Sequence, residues 1–321
     1  MKTTKYLKVP AKAVIFFSIL LTATSFYSGL AYNKLRSETV NNSNDSANTF
    51  IVKKSKKPQL QVFIMSFCPY GNQMEDLLRP IFDLIGTKAD IKPQYIFDKI
   101  QDLPTHCKAR SGDSSQCAAY VESKYFDTIA QCQETISKNY AKCTDENSYI
   151  KTSSGTYYAS LHGRVEANQN VRELCAWNLT DNDKSKWWNF VDNVNQNCNS
   201  QNADTCWEEQ AKKADYDTNK ITECFNKQAI DLIEDQIAVT DEYQVSGSPT
   251  LIINGVRFPP EKAYTQDGKG SLKIGKKTFT QEQYRTPNVI KEAVCSAFNK
   301  IPKECKQELA EPDQKTADGG C

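Results

Sequence analysis

Residues 65–78, MSFCPYGNQMEDLL, contain the side chain best suited to chemistry in this chain of 321 residues. Cys68 follows a short apolar run and stands directly before Pro69, where a helical periodicity begins. The first turn of a helix has unpaired amide donors and a partial positive charge, which stabilise an anion such as a thiolate. Because the thiolate is the reactive form of cysteine, this position predicts a reactive thiol at Cys68.

A second cysteine is missing three positions later, where Gly71 stands. In a C-x-x-C site the second thiol attacks the mixed disulfide and releases the substrate, which glycine cannot do. A single thiol still forms a mixed disulfide, but its release needs an external thiol or a thiol of the substrate. The alternative is that Cys68 is an unreactive cysteine of a binding module, since free cysteine is among the most buried residue types.

Two strands and a helix are predicted around this cysteine. The run LQVFIMS, 60–66, is apolar with β-branched and aromatic members, which indicates a buried strand. From Asn72 onward, apolar residues recur at i, i+3, i+4 and i+7, the pattern of an amphipathic helix. The run IKPQYIFD, 91–98, predicts the next strand, so the three elements form a βαβ unit with a parallel pair.

A hairpin and a helix are predicted near the C-terminus. In VSGSPTLIINGVRF, 245–258, two apolar runs flank Asn254-Gly255, a pair typical of tight β-turns. The run TPNVIKEAVCSAF, 286–298, predicts a helix with a threonine N-cap followed by proline. The segment between them, 261–285, is interpreted as a surface insertion with a loop rich in glycine and lysine.

This order of elements resembles the DsbA-like members of the thioredoxin-fold family. The features that match are a strand followed by C-P-Y-x at a helix start, a long helical stretch, and V-S-G-S-P-T before a hairpin and a last helix. The resemblance implies an α/β thioredoxin-like fold, βαβ plus ββα, over residues 58–302. It also implies a disulfide-rich helical domain inserted at about 105–243.

The resemblance assigns roles to individual residues. In this family a cis-proline loop faces the reactive cysteine, and Ser248-Pro249-Thr250 stands at the corresponding position. Cys68 and Pro249 are therefore the expected catalytic residues. The expected substrate contacts are Pro69, Tyr70, Ser248 and Thr250.

Two further resemblances point to different functional classes. The segment SLHGRVEANQNVRELC is similar to the C-Q-H-G…E-C signature of lysosomal thiol reductases, although Ala159 and Ser160 stand where its first cysteine would be. The segments SPTLIINGVRF and VIKEAVCSAF…PKEC resemble the luminal thioredoxin-like segment of plant vacuolar sorting receptors, which bind cargo and are not enzymes. The two hypotheses are thiol–disulfide exchange on protein or peptide substrates through Cys68, and a non-catalytic binding or receptor module. His162 is interpreted as a structural hydrogen-bonding residue, and the alternative is an acid–base residue near the thiol.

The twelve cysteines indicate an oxidising compartment, where disulfides persist. No two of them have the C-x2-C spacing of structural zinc sites, and the chain has only two histidines, so we expect neither a metal nor a cofactor. The ten cysteines from Cys107 to Cys305 can form five bridges, which leaves Cys68 and Cys321. A thiol on the C-terminal tail could reach Cys68, which makes Cys321 a candidate resolving residue.

Sequence spacing suggests some of the pairs, although connectivity does not follow from spacing alone. Candidate pairs are Cys206 with Cys224, which bracket a helix–turn–helix, and Cys295 with Cys305, which lie around the end of the last helix. Cys132 and Cys143 would be about 16 Å apart on one continuous helix. A bridge spans roughly 5.5–6 Å between Cα atoms, so these two cysteines pair only if the helix breaks.

The N-terminus predicts a membrane anchor. Residues 1–12 carry four lysines and no acid, and residues 13–32 carry no charge, which is about the length that spans a bilayer. The basic end is expected in the cytoplasm, and the globular domain outside it, in a periplasm, a lumen or the extracellular space. A cleaved signal peptide is the alternative. Residues 33–57 are expected to be a flexible spacer and 303–321 a tail, and the net charge of +1 gives no reason to expect nucleic acid.

Overall fold

The computed structural model describes residues 48–145, 148–180 and 184–311. The predicted membrane anchor at 13–32 lies outside these residues, as do most of the predicted spacer and the last ten residues, which include Cys321. Within the described ranges, no helix has both the length and the apolar character needed to cross a bilayer.

The described residues form ten strands and nine α-helices. The strands are β1 (Thr49–Phe50), β2 (Gln59–Ile64), β3 (Asp90–Tyr95), β4 (Asp98–Ile100), β5 (Ile150–Lys151), β6 (Tyr157–Ala159), β7 (Thr250–Ile253), β8 (Val256–Phe258), β9 (Ser271–Ile274) and β10 (Lys277–Thr280). The helices are α1 (Pro69–Ile85), α2 (Leu103–Ser111), α3 (Cys117–Glu122), α4 (Ile129–Cys143), α5 (Arg164–Asn178), α6 (Ser185–Asn197), α7 (Ala203–Lys213), α8 (Thr218–Glu242) and α9 (Pro287–Ser296).

The central sheet has the strand order β3-β2-β7-β8. Strands β2 and β3 run parallel, and α1 crosses between them, whereas β2–β7 and β7–β8 are antiparallel pairs. Leu60 and Ile64 of β2 are buried with Leu78 and Ile81 of α1 in one hydrophobic core, because apolar residues recur on one face of that helix. The βαβ unit, the hairpin and α9 confirm the predicted thioredoxin-like fold.

The hairpin between β7 and β8 turns at the predicted pair. Asn254 and Gly255 both have positive φ, 43° and 83°, as a tight turn compatible with the twist of the strands requires. The Asn254 side chain accepts from the amide of Gln59 at 2.7 Å and donates to the carbonyl of Lys53 at 2.7 Å. This one side chain therefore fastens the turn to the chain that leads into β2.

The ordered fold begins before residue 58. Ser55 pairs with the end of α9, since its amide donates to the carbonyl of Ala297 at 2.8 Å and its carbonyl accepts from Asn299 at 2.7 Å. Phe50 is buried and packs its ring edge-on against Phe258 of β8, with 5.1 Å between the ring centroids. The part of the expected spacer that follows Phe50 is thus attached to the domain.

The predicted helical insertion lies between β3 and β7, where the described residues form seven helices and a small sheet in the order β4-β6-β5. The ring of Trp187 lies 5.2 Å from that of Trp177 and 5.0 Å from that of Trp188. Trp188 also meets Phe82 of α1 at 5.5 Å. These rings have the core role expected of buried aromatics, and they pack the insertion against α1.

Within the part of the chain that the structure describes, five disulfides connect the ten cysteines from Cys107 to Cys305, which agrees with the number expected for them. They are Cys107–Cys143, Cys117–Cys132, Cys175–Cys224, Cys198–Cys206 and Cys295–Cys305. The last is the predicted pair. The expected bridge from Cys206 to Cys224 is wrong, because Cys206 bonds to the end of α6 while Cys224 faces α5. Helix α4 is continuous, so Cys132 and Cys143 each bond to another segment.

The segment 261–285 contributes to the core as well as to the surface. Strands β9 and β10 form an antiparallel hairpin within it. Leu272 and Ile274 on β9 are fully buried beside α9, so the interpretation as a surface insertion holds only for the loops that flank the hairpin.

The long and the short disulfide loops are expected to stabilise the fold unequally. Cys175–Cys224 closes 49 residues and Cys198–Cys206 closes 8. Chain-entropy arguments give about 4 kcal/mol for the first and about 2.5 kcal/mol for the second. Urea unfolding of the two double Cys→Ala variants without reductant measures both losses. If both variants lost the same free energy of unfolding, then strain in the folded state or residual structure in the unfolded chain, and not loop length, would determine how much each disulfide stabilises the fold.

Candidate functional site

Cys68 is the N-cap residue of α1, as predicted. Its backbone is extended, with φ −76° and ψ 115°, and its carbonyl accepts from the amide of Asn72 at 3.0 Å. The Sγ atom accepts from the amide of Gly71 at 3.4 Å, which is one of the unpaired donors of the first turn. The sulfur therefore occupies the position in which a thiolate would be stabilised.

Cys68 is fully buried and disulfide-bonded in this structure. Its partner is none of the ten cysteines in the five bridges above. The structure thus describes an oxidised form of the site, in which the sulfur is not a thiol. The candidate resolving residue Cys321 lies outside the described residues.

The loop before β7 faces this sulfur. The peptide bond between Ser248 and Pro249 is cis, and the carbonyl oxygen of Ser248 lies 3.6 Å from Cys68 Sγ. Thr250 begins β7, where it is paired with Phe63, and its hydroxyl donates to the carbonyl of Gly247 at 2.8 Å. The structure thus brings together the segments that carry the expected catalytic pair. A second cis bond, between Phe258 and Pro259, was not predicted.

Gly71 fits this site because it has no side chain. A Cβ atom at this position would lie 2.8 Å from Ser248 Oγ and 3.5 Å from the Cβ atom of Cys68. The second distance is within the range of disulfides, about 3.5–4.5 Å between Cβ atoms, whereas the first is a clash. Ser248 Oγ is buried and has no hydrogen-bond partner among the described residues. A side chain at residue 71 would therefore require the Ser248 hydroxyl to rotate away, and it would also lie 3.3 Å from the carbonyl oxygen of Met65.

Pro69 and Tyr70 lie at the protein surface beside Cys68. Pro69 is partly buried and Tyr70 is 37% exposed. The guanidinium of Arg285 lies 5.7 Å from the centroid of the Tyr70 ring and donates to the Tyr70 carbonyl at 3.2 Å. Sequence reasoning missed Arg285, because the turn before α9 carries no motif that would connect it to the cysteine.

Three polar residues on one face of α5 hold the loop that precedes Cys68. The amide of Phe67 donates to Glu166 at 2.9 Å. The amide and hydroxyl of Ser66 donate to Asn170 at 2.9 and 2.7 Å, and this hydroxyl also lies 3.0 Å from Glu173. All three side chains are fully buried. Sequence reasoning missed this polar face, although its spacing of four and three residues in VEANQNVREL was a readable signal.

His162 extends this network through hydrogen bonds to Glu166, which is the kind of contact predicted for it. Its Nδ1 lies 2.9 Å from Glu166 Oε1, and its amide donates to the other carboxylate oxygen at 2.9 Å. Burial alone would raise the pKa of Glu166, but these hydrogen bonds lower it below the ordinary value. Glu166 is therefore an ionised acceptor for the loop amide.

Glu173 and Glu75 form a pair of buried acids beneath the site. Burial raises the pKa of Glu173 to about 7, although hydrogen bonds from Tyr95, Gln169 and Ser66 oppose the shift. Burial, followed by repulsion from Glu173, raises the pKa of Glu75 well above its ordinary value. One Glu75 oxygen accepts from Asn195 at 2.7 Å. Glu173 therefore changes its charge near neutral pH. Among the described residues, no group of His, Cys, Asp or Glu side chains is arranged to hold a metal.

A family model for a thioredoxin-like domain supports the fold. Residues 113–261 match the family model of the vacuolar sorting receptor thioredoxin-like domain, which is just under half of the chain and does not include Cys68. No curated protein matches the chain. A solved structure, described as "a putative protein disulfide isomerase from Nitrosomonas europaea", is 13% identical over 64% of this chain and 92% of its own, with a TM-score of 0.35.

The clash at residue 71 predicts a coupled pair of substitutions. Gly71→Ala is expected to destabilise the fold by about 1–3 kcal/mol through overpacking. In a Ser248→Ala background the same change is expected to cost less, because the obstructing hydroxyl is gone. A double-mutant cycle by urea unfolding measures the coupling. Additive effects would show that Ser248 does not limit this position.

The buried acids predict that stability depends on pH. Between pH 4.5 and about 7 the folded protein retains a proton on Glu173 that the unfolded chain has released. Stability should therefore fall as pH rises through this window, and Glu75 acts in the same direction. Glu173→Gln should make the slope shallower, whereas Glu242→Gln, at an exposed position, should leave it unchanged. Urea midpoints at several pH values test this, and an unchanged slope in Glu173→Gln would contradict it.

Proposed function

We propose that this thioredoxin-like protein exchanges thiols and disulfides of extracytoplasmic protein substrates through Cys68. The observation that carries the proposal is the position of Cys68 Sγ. It accepts from the Gly71 amide at a helix N-terminus and lies 3.6 Å from the Ser248 carbonyl of the cis-proline loop. Unlike the ten cysteines that pair with one another, this sulfur stands where an ionised thiol is stabilised and a substrate backbone can be bound.

The proposed reaction is a pair of exchanges without net oxidation. The thiolate of reduced Cys68 attacks one sulfur of a substrate disulfide, a bond forms to Cys68, and the other substrate sulfur departs as a thiolate. A substrate thiolate then attacks the substrate sulfur in this mixed disulfide and returns the electron pair to Cys68. Because Gly71 cannot resolve the intermediate, rearrangement of substrate disulfides is the chemistry that best suits the site.

The C-terminal cysteine is proposed as a second route of release. All cysteines except Cys68 and Cys321 pair among themselves in the five described bridges, and Cys68 has a disulfide partner outside that group. If Cys321 attacks the Cys68 sulfur of a mixed disulfide, the substrate leaves reduced and Cys68–Cys321 forms. A low-molecular-weight thiol would then have to reduce this bond. Pro69, Tyr70, Ser248 and Thr250 are proposed to contact the substrate chain around the sulfur.

The proposed location is outside the cytoplasm, with residues 13–32 as a membrane anchor. Five disulfides are typical of proteins in oxidising compartments, which supports the first part. The anchor is supported by sequence alone, through the uncharged run and the lysines before it.

A binding or receptor module without catalysis is the second candidate. It is favoured by the match of residues 113–261 to a receptor domain and by the complete burial of Cys68 in the oxidised form. In this alternative the groove beside the cis-proline loop would bind peptide, and Cys68 would have only a structural role.

An isomerisation assay distinguishes the two candidates. Pre-reduced protein is incubated with a scrambled-disulfide substrate, and recovery of the native substrate is followed. Cys68→Ser is expected to lower the rate to that of the uncatalysed reaction, because the attacking sulfur is gone. The double variant Cys198→Ala/Cys206→Ala, which removes a disulfide of the insertion, should retain the activity.

Trapping identifies the intermediate in the same preparation. Cys321→Ser should increase the amount of protein held in a mixed disulfide with substrate if Cys321 releases it, and leave that amount unchanged if substrate thiols do. Activity of Cys68→Ser equal to that of the unchanged protein would refute exchange through Cys68 and favour the binding module.

A further inference from the structure

A cavity of about 560 Å³ lies on the side of α5 opposite to the face that holds the Cys68 loop. Arg164 and Arg172 of α5 line it, together with Lys151 of β5, Asp204 of α7 and Phe225 of α8. Successive helical residues rotate by about 100°, so positions 164 and 172 share one face and positions 166, 170 and 173 share the other. The volume is in the range of small-ligand pockets.

Arg172 is fixed as part of the wall. Its guanidinium donates to Asp204 at 2.7 Å and lies over the rings of Trp207 and Phe225, at 5.1 and 5.6 Å from their centroids. The side chain of Asn168 also donates to Asp204, at 3.1 Å. Asp204 therefore balances the charge of Arg172. The other two cations that line the cavity are Arg164 and Lys151.

Arg164 and Lys151 have no ion-pair partner in the part of the chain that the structure describes. Arg164 Nε is buried without a hydrogen-bond partner among those residues. Lys151 Nζ lies 5.4 Å from the centroid of the Tyr157 ring. A buried donor on a charged group is costly when it is unsatisfied, so an acceptor carrying negative charge would complete the site.

We infer that this cavity binds a carboxylate side chain of an acidic peptide segment. The carboxylate would bind between Lys151 and Arg164, and an adjacent apolar side chain would pack on the rings of Tyr149, Tyr157 and Phe225. The negative charge of Asp204 in the cavity wall repels a doubly charged phosphate more strongly than it repels a singly charged carboxylate. The inference does not depend on Cys68 chemistry, since the two sites use opposite faces of α5.

Peptide binding to the full chain tests the inference. The probe is a fluorescein-labelled Phe-Glu-Leu-Glu-Phe amide, compared by anisotropy with the same peptide carrying Gln in place of Glu. Neither peptide contains cysteine, so covalent capture cannot contribute. The Glu peptide should bind at least tenfold more tightly and lose affinity as salt increases.

Variants locate the site of binding. Arg164→Gln and Lys151→Gln should each weaken the Glu peptide about tenfold. Lys220→Gln removes a positive charge from the exposed part of α8 and should have no effect. Thermal unfolding confirms that each variant is folded. Equal affinity for the two peptides, an unchanged affinity in folded Arg164→Gln, or displacement by millimolar inorganic phosphate would each overturn the inference.

Discussion

The geometry around Cys68 depends on hydrogen bonds between α5 and the short loop that leads into α1. The loop lies between the end of β2 and the start of α1, and the amides of Ser66 and Phe67 find their acceptors on Asn170 and Glu166. An unsatisfied buried amide costs about 1–3 kcal/mol, so the loop could not hold this conformation without those side chains. The insertion therefore completes the site, although it contributes no sulfur to it.

Local features of the fold could be read from the sequence, because their physical signals lie within a few residues of each other. The turn at Asn254-Gly255 requires positive φ at both residues. In the helix after Cys68, the apolar residues recur in the sequence with a helical period. The contact between α5 and the loop joins residues about one hundred positions apart, so spacing alone could not show it. The same reason explains the error at Cys206, whose true partner depends on how α6 and α7 pack.

Gly71 explains why the two functional classes are difficult to separate from sequence. Its absent side chain removes the second thiol of a dithiol site, which suggests a lost activity. The structure shows that the same absence lets Ser248 approach Cys68, so that the cis-proline loop lies against the sulfur. A glycine at this position is thus compatible with a single-thiol enzyme and with a module that only binds.

Each described disulfide lies entirely within the helical insertion or entirely within the thioredoxin-like part. Four are inside the insertion, and Cys295–Cys305 is at the C-terminal end of the thioredoxin-like part. No described bridge joins the two parts, which meet through the α5 hydrogen bonds, the tryptophan cluster and the contact of Gln236 with the amide of Tyr95. Among the described residues, no covalent link limits local opening at the contact between the two parts, although one hydrophobic core runs across it. Amide protons at this contact are therefore expected to exchange with solvent earlier than those at the centre of that core.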